Sequence, residues 1–276
     1  TCKNSGRISA SNPCSEYMFL TDSACNLASL RLTQFLTGDS ENPFDIEAFN
    51  HTARTILIAQ EILVGAAGYP TDQVAVNSRD FRPLGLGYAD LGALLMRLGV
   101  PYGSLSGQSI CAAITALLGG IAYQTSAELA QHCGGPFARF NENKEPMLDV
   151  IAKHTSFAKE LQTNGPSWLR SKDSLTKRPF SQVVDAAMRA WSSALKLGSQ
   201  YGFRNAQVTV LAPTGTIGFA MDCDTTGIEP DTAIVKTKKL AGGGIIEIVN
   251  RSIPIALGQL GYETDQIKDI VSHIEK

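Results

Sequence analysis

A stretch of 26 residues, Ser106 to Gln131, limits the folds open to this chain more than any other. It is rich in alanine, isoleucine and leucine, and it carries Gly119-Gly120 at its centre. Each glycine weakens a helix by roughly 1 kcal/mol against alanine. A helix that keeps two side by side is expected to recover the difference by packing closely against a neighbour. Other helices are expected over Asp45–Leu63, Tyr88–Leu98, Met147–Leu161, Ser181–Leu197 and Asp265–Glu275, where apolar residues recur near the 3.6-residue period. Extended segments are few and short. Asn26–Leu32 reads as a strand or a short helix, Arg79–Leu86 as a strand or loop leading into Gly85-Leu86-Gly87, and Gln207–Leu211 as a strand. Lys236–Lys239 reads as a solvated basic loop before Gly242-Gly243-Gly244. Long helices alternating with short strands argue for an α/β architecture.

The 276 residues carry a formal net charge of -2, with 43% hydrophobic and 18% charged residues. No basic surface advertises nucleic acid. No run of 18 or more consecutive apolar residues and no signal-peptide pattern occurs, so neither a membrane span nor export is expected. The six cysteines, at 2, 14, 25, 111, 133 and 223, form no Cys-x-x-Cys pair. That excludes a disulfide scaffold or structural zinc site and points to a reducing cytoplasm, where a cysteine matters through its reactivity. The four histidines show no ligand spacing. His51 and His154, on expected helices, read as solvated or locally bonded. The chain starts at Thr1 with its densest chemistry in the first 25 residues. A piece of a longer protein, cut on its N-terminal side, is therefore expected, with a maturation boundary as the alternative.

Two stretches carry candidate chemistry. Asn12-Pro13-Cys14-Ser15-Glu16 sets a carboxamide, a thiol and a carboxylate at alternate positions. Alternate side chains of an extended backbone share a side, and Pro13 disfavours a helix before it. An extended ridge with Asn12, Cys14 and Glu16 facing one way is expected. On spacing alone, a buried and inert cysteine remains the alternative. Cys25, eleven residues after Cys14, either pairs with a third thiol or simply packs. In the second stretch, Gln207–Leu211 runs into Ala212-Pro213-Thr214-Gly215-Thr216-Ile217-Gly218. A strand, a tight turn and small residues make an anion cradle from main-chain N–H groups and hydroxyls. No Gly-Lys-Ser/Thr follows, so this is not a Walker loop, and an ordinary strand-to-helix turn is the alternative.

Together these stretches resemble the large catalytic subunit of ribonucleotide reductases. Ser11-Asn12-Pro13-Cys14-Ser15-Glu16 is similar to the family's finger-loop motif, and Ala24-Cys25-Asn26-Leu27-Ala28-Ser29-Leu30 to the strand after it. Arg82-Pro83-Leu84-Gly85-Leu86-Gly87 resembles an intervening segment, and Ala212–Ile217 with Gly227-Ile228-Glu229-Pro230 the phosphate-binding turn and its sequel. Asn-Pro-Cys and the eleven-residue gap from Cys14 to Cys25 are most similar to the adenosylcobalamin-dependent class.

The resemblance implies one incomplete catalytic domain over residues 1–276, the C-terminal half of a ten-stranded α/β barrel. A central finger loop would occupy about 9–20 and the phosphate-binding turn about 212–218. It implies reduction of ribonucleoside diphosphates or triphosphates to 2′-deoxyribonucleotides by a thiyl radical. Cys14 would carry the radical, Glu16 act as base, Asn12 orient the sugar and Cys25 supply electrons. Ser11, Pro213, Thr214, Gly215, Thr216 and Ile217 would bind substrate, with no protein metal ligand. The implied cofactor is adenosylcobalamin, and the partners a thioredoxin-type reductant and a second copy in a full-length homodimer. The early cysteine that pairs with Cys25, the allosteric N-terminal region and the C-terminal cysteine tail are family features missing here. Two alternatives stand beside this reading: an iron-dependent large subunit whose radical comes from a di-iron partner subunit, and a non-catalytic nucleotide-binding fragment.

Overall fold

The computed structural model describes residues 1–164, 179–239 and 241–274. Its centre is a parallel sheet. Strand β1 (Asn26–Arg31) pairs with β2 (Leu84–Ala89) in the register Asn26↔Leu84 to Arg31↔Ala89. On the other side of β2, residues 207–210 run parallel to it. Leu84 N donates to Gln207 O (2.8 Å), Leu86 N to Val208 O (3.0 Å) and Val210 N to Leu86 O (3.1 Å). All six residues of β2 are buried, as expected of a parallel strand covered on both faces. Leu84, Leu86 and Tyr88 alternate with Gly85, Gly87 and Ala89, so one face is bulky and the other nearly flat.

Helices cover the bulky face and the edge. They are α1 (Ile46–Ala66), α2 (Asp72–Phe81), α3 (Leu91–Arg97), α4 (Leu105–His132), α5 (Phe140–Asn164) and α6 (Pro179–Tyr201). Helix α4 is the long glycine-bearing stretch, and it packs most intimately on α6. A Cβ at Gly119 would lie 2.8 Å from Trp191 Cζ2, and one at Gly120 2.9 Å from Ala190 Cβ. Trp191 Nε1 donates to Ala116 O (2.8 Å), locking the crossing. The expected close packing is therefore present. Helix α4 is long and apolar enough to cross a membrane by length and composition, but 67% of its most apolar window is buried inside the protein, as befits a core helix. His154, expected to be solvated or locally bonded, stacks on Trp191 at 4.8 Å.

Several expectations change. Arg79–Phe81 closes α2, a helix capped by the Thr71 hydroxyl, rather than opening a strand. The helix expected from Tyr88 starts at Leu91, because Tyr88 and Ala89 finish β2. Helix α5 begins at Phe140 and contains Pro146. Proline has no N–H to donate to the carbonyl four residues back. Asn4 Nδ2 donates to that carbonyl, Glu142 O, at 2.7 Å. Asn4 N and Ser5 Oγ complete the docking on the Asn143 carboxamide. Lys236–Lys239 is not a solvated loop. It lies in β3 (Val235–Lys239), antiparallel to β4 (Ile245–Val249), and Lys236 pairs with Asp231 at 2.6 Å. Helix α7 (Gly215–Ala220) precedes this hairpin, and α8 (Ile253–Gln259) and α9 (Thr264–Ile274) follow it. Glu275, the expected end of the last helix, lies outside the described residues.

No closed barrel forms among the described residues. A two-stranded parallel sheet with a bridge to residues 207–210 and a separate hairpin do not close on themselves. The strands are instead clamped by polar clusters. At their N-terminal end, Glu61 of α1 accepts from Arg82 Nε (2.6 Å), Arg204 Nε (2.7 Å) and Asn205 Nδ2 (2.6 Å). Asn205, fully buried, also receives Ser126 Oγ of α4 (2.9 Å). One carboxylate thus joins α1 to the entries of β2 and of the third strand.

Glu61→Gln keeps the volume but leaves two half-buried guanidinium groups facing a neutral amide. It is expected to cost about 3 kcal/mol, seen as a lower urea midpoint at unchanged slope. A loss under about 1 kcal/mol would show that the cluster is not the clamp.

Candidate functional site

The Asn12–Glu16 segment is not the extended ridge expected from its spacing. Ser15 N donates to Asn12 O at 3.0 Å, closing a turn, and Ser15 is left-handed with φ 63°. Proline suits the second position of such a turn, and Asn-Pro is a turn-initiating pair; that was the sequence signal for this geometry. The Asn12 carboxamide acts inside the turn, where Oδ1 accepts from Tyr17 N (3.1 Å). Ser11 Oγ donates to Asn12 O (2.9 Å) and lies 3.2 Å from Ser15 Oγ. Cys14 is therefore exposed at the tip, while Glu16 turns inward, its Oε2 buried without a hydrogen-bond partner.

Glu16 faces Cys25. Burial pushes the Cys25 thiol up to about 12, and the Glu16 charge adds to the shift. The loop's return limb is fixed by aromatic contacts: Phe19 meets Phe81 edge-on at 5.8 Å, and Phe81 meets Phe137 at 6.1 Å. Tyr17 OH pairs with Ser23 Oγ at 2.8 Å.

Cys25 begins a row along the flat face of the sheet. Cys25, Leu27 and Ser29 alternate with the helix-facing Asn26, Ala28 and Leu30. At the far end of that row, Ser29 Oγ lies 3.3 Å from Thr214 Oγ1. Thr214 Oγ1 spends its proton on Ala212 O (2.9 Å), so Ser29 is the donor. Thr214 is left-handed, with φ 58° and ψ 35°, an uncommon state for a β-branched residue. Although it stands at the start of α7, its side chain makes no cap. The first bond of the helix is Gly218 N to Thr214 O at 3.0 Å. The N–H groups of Gly215, Thr216 and Ile217 precede it, on three exposed residues. Pro213 is half-buried behind them. Chemically, this is an anion-receptive turn one strand length from a thiol and a carboxylate.

Two contacts that hold the turn are not visible in the sequence, one of them at Gly227 of the Gly227–Pro230 segment. Gly227, at φ 48°, packs so closely that a Cβ there would sit 2.9 Å from Ala212 O and 3.0 Å from Pro213 O. Behind α7, Asp90 is fully buried at the end of β2. Its Oδ1 accepts from Asp224 N and Thr225 N (both 2.9 Å), and its Oδ2 from Arg31 Nε (3.0 Å) and Thr33 Oγ1 (2.6 Å). Burial works to raise the Asp224 carboxyl, but hydrogen bonds from Ser252 and Arg97 outweigh it and hold the group below the usual carboxylate range. The only hint in the sequence was an aspartate directly after a short strand. A cavity of about 1030 Å³ lies on the helix side, lined by Met18, Cys111, Thr115 and Trp191 among others. Neither the loop tip nor the turn borders it, so the candidate site is separate from this cavity.

The family described as ribonucleotide reductase, barrel domain, matches the chain over residues 1–276. The vitamin B12-dependent ribonucleotide reductase of Rhodopirellula baltica is 50% identical over 275 residues, covering 100% of this chain and 25% of that protein. The protein of the same name from Bradyrhizobium diazoefficiens is 49% identical, covering 99% of this chain and 22% of its own. That from Streptomyces coelicolor is 46% identical, covering 99% and 27%. The chain thus spans about a quarter of the length of these relatives.

Because only the thiolate reacts with iodoacetamide, Cys25 should label slowly at pH 8. Its rate should climb about tenfold per pH unit toward its pKa of about 12. The exposed Cys14 and Cys133 should label first. Peptide mass spectrometry across a pH series checks this, and early labelling of Cys25 would contradict its burial.

Proposed function

The chain belongs to the barrel-domain family of ribonucleotide reductases, and we propose that it carries the reaction centre of a vitamin B12-dependent ribonucleotide reductase. One observation carries the reading. Cys25 directly precedes strand β1, within electrostatic reach of the Glu16 carboxylate, and β1 hydrogen-bonds the 212–217 turn through Ser29. The four residue steps from Cys25 to Ser29 span about 13 Å of extended chain, a length that a nucleotide's sugar and phosphates bridge once side chains reach inward.

In this reading the phosphates of a ribonucleoside di- or triphosphate rest on the N–H groups of Gly215, Thr216 and Ile217. Thr214, braced by Ser29 and Pro213, holds the turn open, and Ser11 borders the sugar. The uncapped start of α7 supports this, because it leaves those donors to a ligand. Tyr17 N holds Asn12 Oδ1, which leaves the amide nitrogen of Asn12 to orient the ribose. Glu16 takes the 3′-OH proton; its inward, unpartnered oxygen suits an acceptor awaiting a donor.

Replacing the 2′-OH by hydrogen breaks a C–O bond, forms a C–H bond and releases water. The two electrons come from Cys25 and a second thiol, which close a disulfide that a thioredoxin-type dithiol reopens. Cys14, as a thiyl radical, removes the 3′-hydrogen and later returns it. The radical that Cys14 needs is chemistry no side chain carries, and a bound adenosylcobalamin would supply it through its weak cobalt–carbon bond. The exposed tip position of Cys14 fits a radical source approaching from outside the loop.

In the intact protein, Cys14→Ala is expected to abolish adenosylcobalamin-dependent deoxynucleotide formation while nucleotide affinity stays within about twofold. Retained turnover would remove the thiyl role. Cys25→Ser should stop after about one turnover, and sustained activity with a dithiol would contradict its role as reductant. Glu16→Gln should slow the chemical step by about a hundredfold, and an unchanged rate would exclude it as the base.

A further inference from the structure

The Arg82–Gly87 segment has no part in the chemistry above, yet it forms the entry and most of the central strand. Gly85 lies beside Leu27 across the β1–β2 pair. A Cβ there would lie 2.6 Å from Cys25 Sγ, 2.6 Å from Leu27 Cδ2 and 2.9 Å from Val210 Cγ2. These distances are well inside van der Waals contact. The backbone gives no reason for glycine, since Gly85 is not among the residues with positive φ. Glycine in a strand is otherwise a cost, through lost packing and greater chain entropy. Space is what the position needs, and one of the three atoms filling it is the sulfur of Cys25.

That sulfur has little else to hold it. Its one hydrogen bond among the described residues is a weak contact with Asn26 O at 3.7 Å. Leu27 and Val210 close the slot on both sides. A methyl group at residue 85 would therefore drive Sγ outward, away from the sheet and from its burial.

We propose that Gly85 is a positioning residue for the Cys25 thiol: the bare backbone at this point of β2 sets where Sγ rests and how it meets its disulfide partner. The functional consequence rests on Cys25 being the reductant. The positional claim does not.

The test uses the intact protein and iodoacetamide as probe. Gly85→Ala is expected to raise the native alkylation rate of Cys25 by about fivefold or more, with Cys133 unchanged. A Cys25 rate within about twofold of the parent overturns the proposal. Gly87→Ala is the control for loosened packing, because its Cβ would overlap the Val210 carbonyl oxygen and does not touch Cys25. An equal rise of Cys25 labelling in Gly87→Ala at matched Tm also overturns it. Adding Cys25→Ala should raise the Tm of Gly85→Ala, or restore folding if the single variant does not fold; no recovery rejects the contact. In turnover, Gly85→Ala should lower kcat with a dithiol reductant and leave the nucleotide KM within about twofold, whereas a parallel rise in KM would mark a merely structural effect. If Cys25→Ser instead sustains turnover, the reductant role falls, while the labelling and Tm results still decide the position of the sulfur.

Discussion

The structure depends on one strand having two unlike faces. Strand β2 is buried throughout, so its main-chain groups need strand partners; β1 pairs along its whole length, and residues 207–210 bond Leu84 and Leu86. Leu84, Leu86 and Tyr88 bury apolar area against the helices, where each full side chain is worth about 2 kcal/mol. Tyr88 reaches through to Thr115 Oγ1 of α4 at 2.7 Å, so its hydroxyl is not left unpaired. The glycines on the other face add little burial. What they add is proximity: the third strand's backbone and the Cys25 sulfur come closer than a substituted strand would allow. Stability comes from one face of β2, and the proposed chemistry lies on the other.

Charge holds the two ends of this sheet. Glu61 with Arg82 and Arg204 clamps the N-terminal end, and Asp90 with Arg31, Asp224 and Arg97 the C-terminal end. Such pairs contribute little net stability, because desolvation offsets their attraction, but breaking one is expensive. Their effect is to specify. Asp90 accepts four donors from two stretches of chain, residues 31–33 and 224–225, and so fixes where residues 224–225 lie. The turn before α7 inherits this precision, because the segment leaving the helix is tied to the ends of both paired strands.

The sequence was legible where a pattern had one physical solution. The glycine pair in α4 demanded a close neighbour, and Trp191 and Ala190 are that neighbour. The run before Pro213 lies extended beside β2, joined by a single bridge at Thr209, and the family resemblance agrees with the barrel-domain match over the whole chain. Legibility failed where local turn chemistry competed with spacing. Alternation suggested a ridge at residues 12–16, but Asn-Pro and a left-handed Ser15 made a turn, separating an exposed thiol from an inward carboxylate. Helix α2 was missed because its exposed face includes Val76, which blurs the amphipathic period, although the Thr71 cap marked its start. The Ser29–Thr214 contact joins residues 185 apart in sequence, and no local pattern reports such a meeting.

Asn4 fills a gap that Pro146 opens inside helix α5. The segment leading to the 12–16 turn is thus attached both to the Asn143 side chain and to one carbonyl in the helix ladder, which exists as a free acceptor only because of the proline. A slip of the segment by one residue would offer Lys3 or Ser5 to a site shaped for a short carboxamide. Positions 4 and 146 therefore form one unit of variation, 142 residues apart. In any set of homologous chains, replacing Pro146 by a residue with an N–H should release position 4 from asparagine, and the two should be seen to change together.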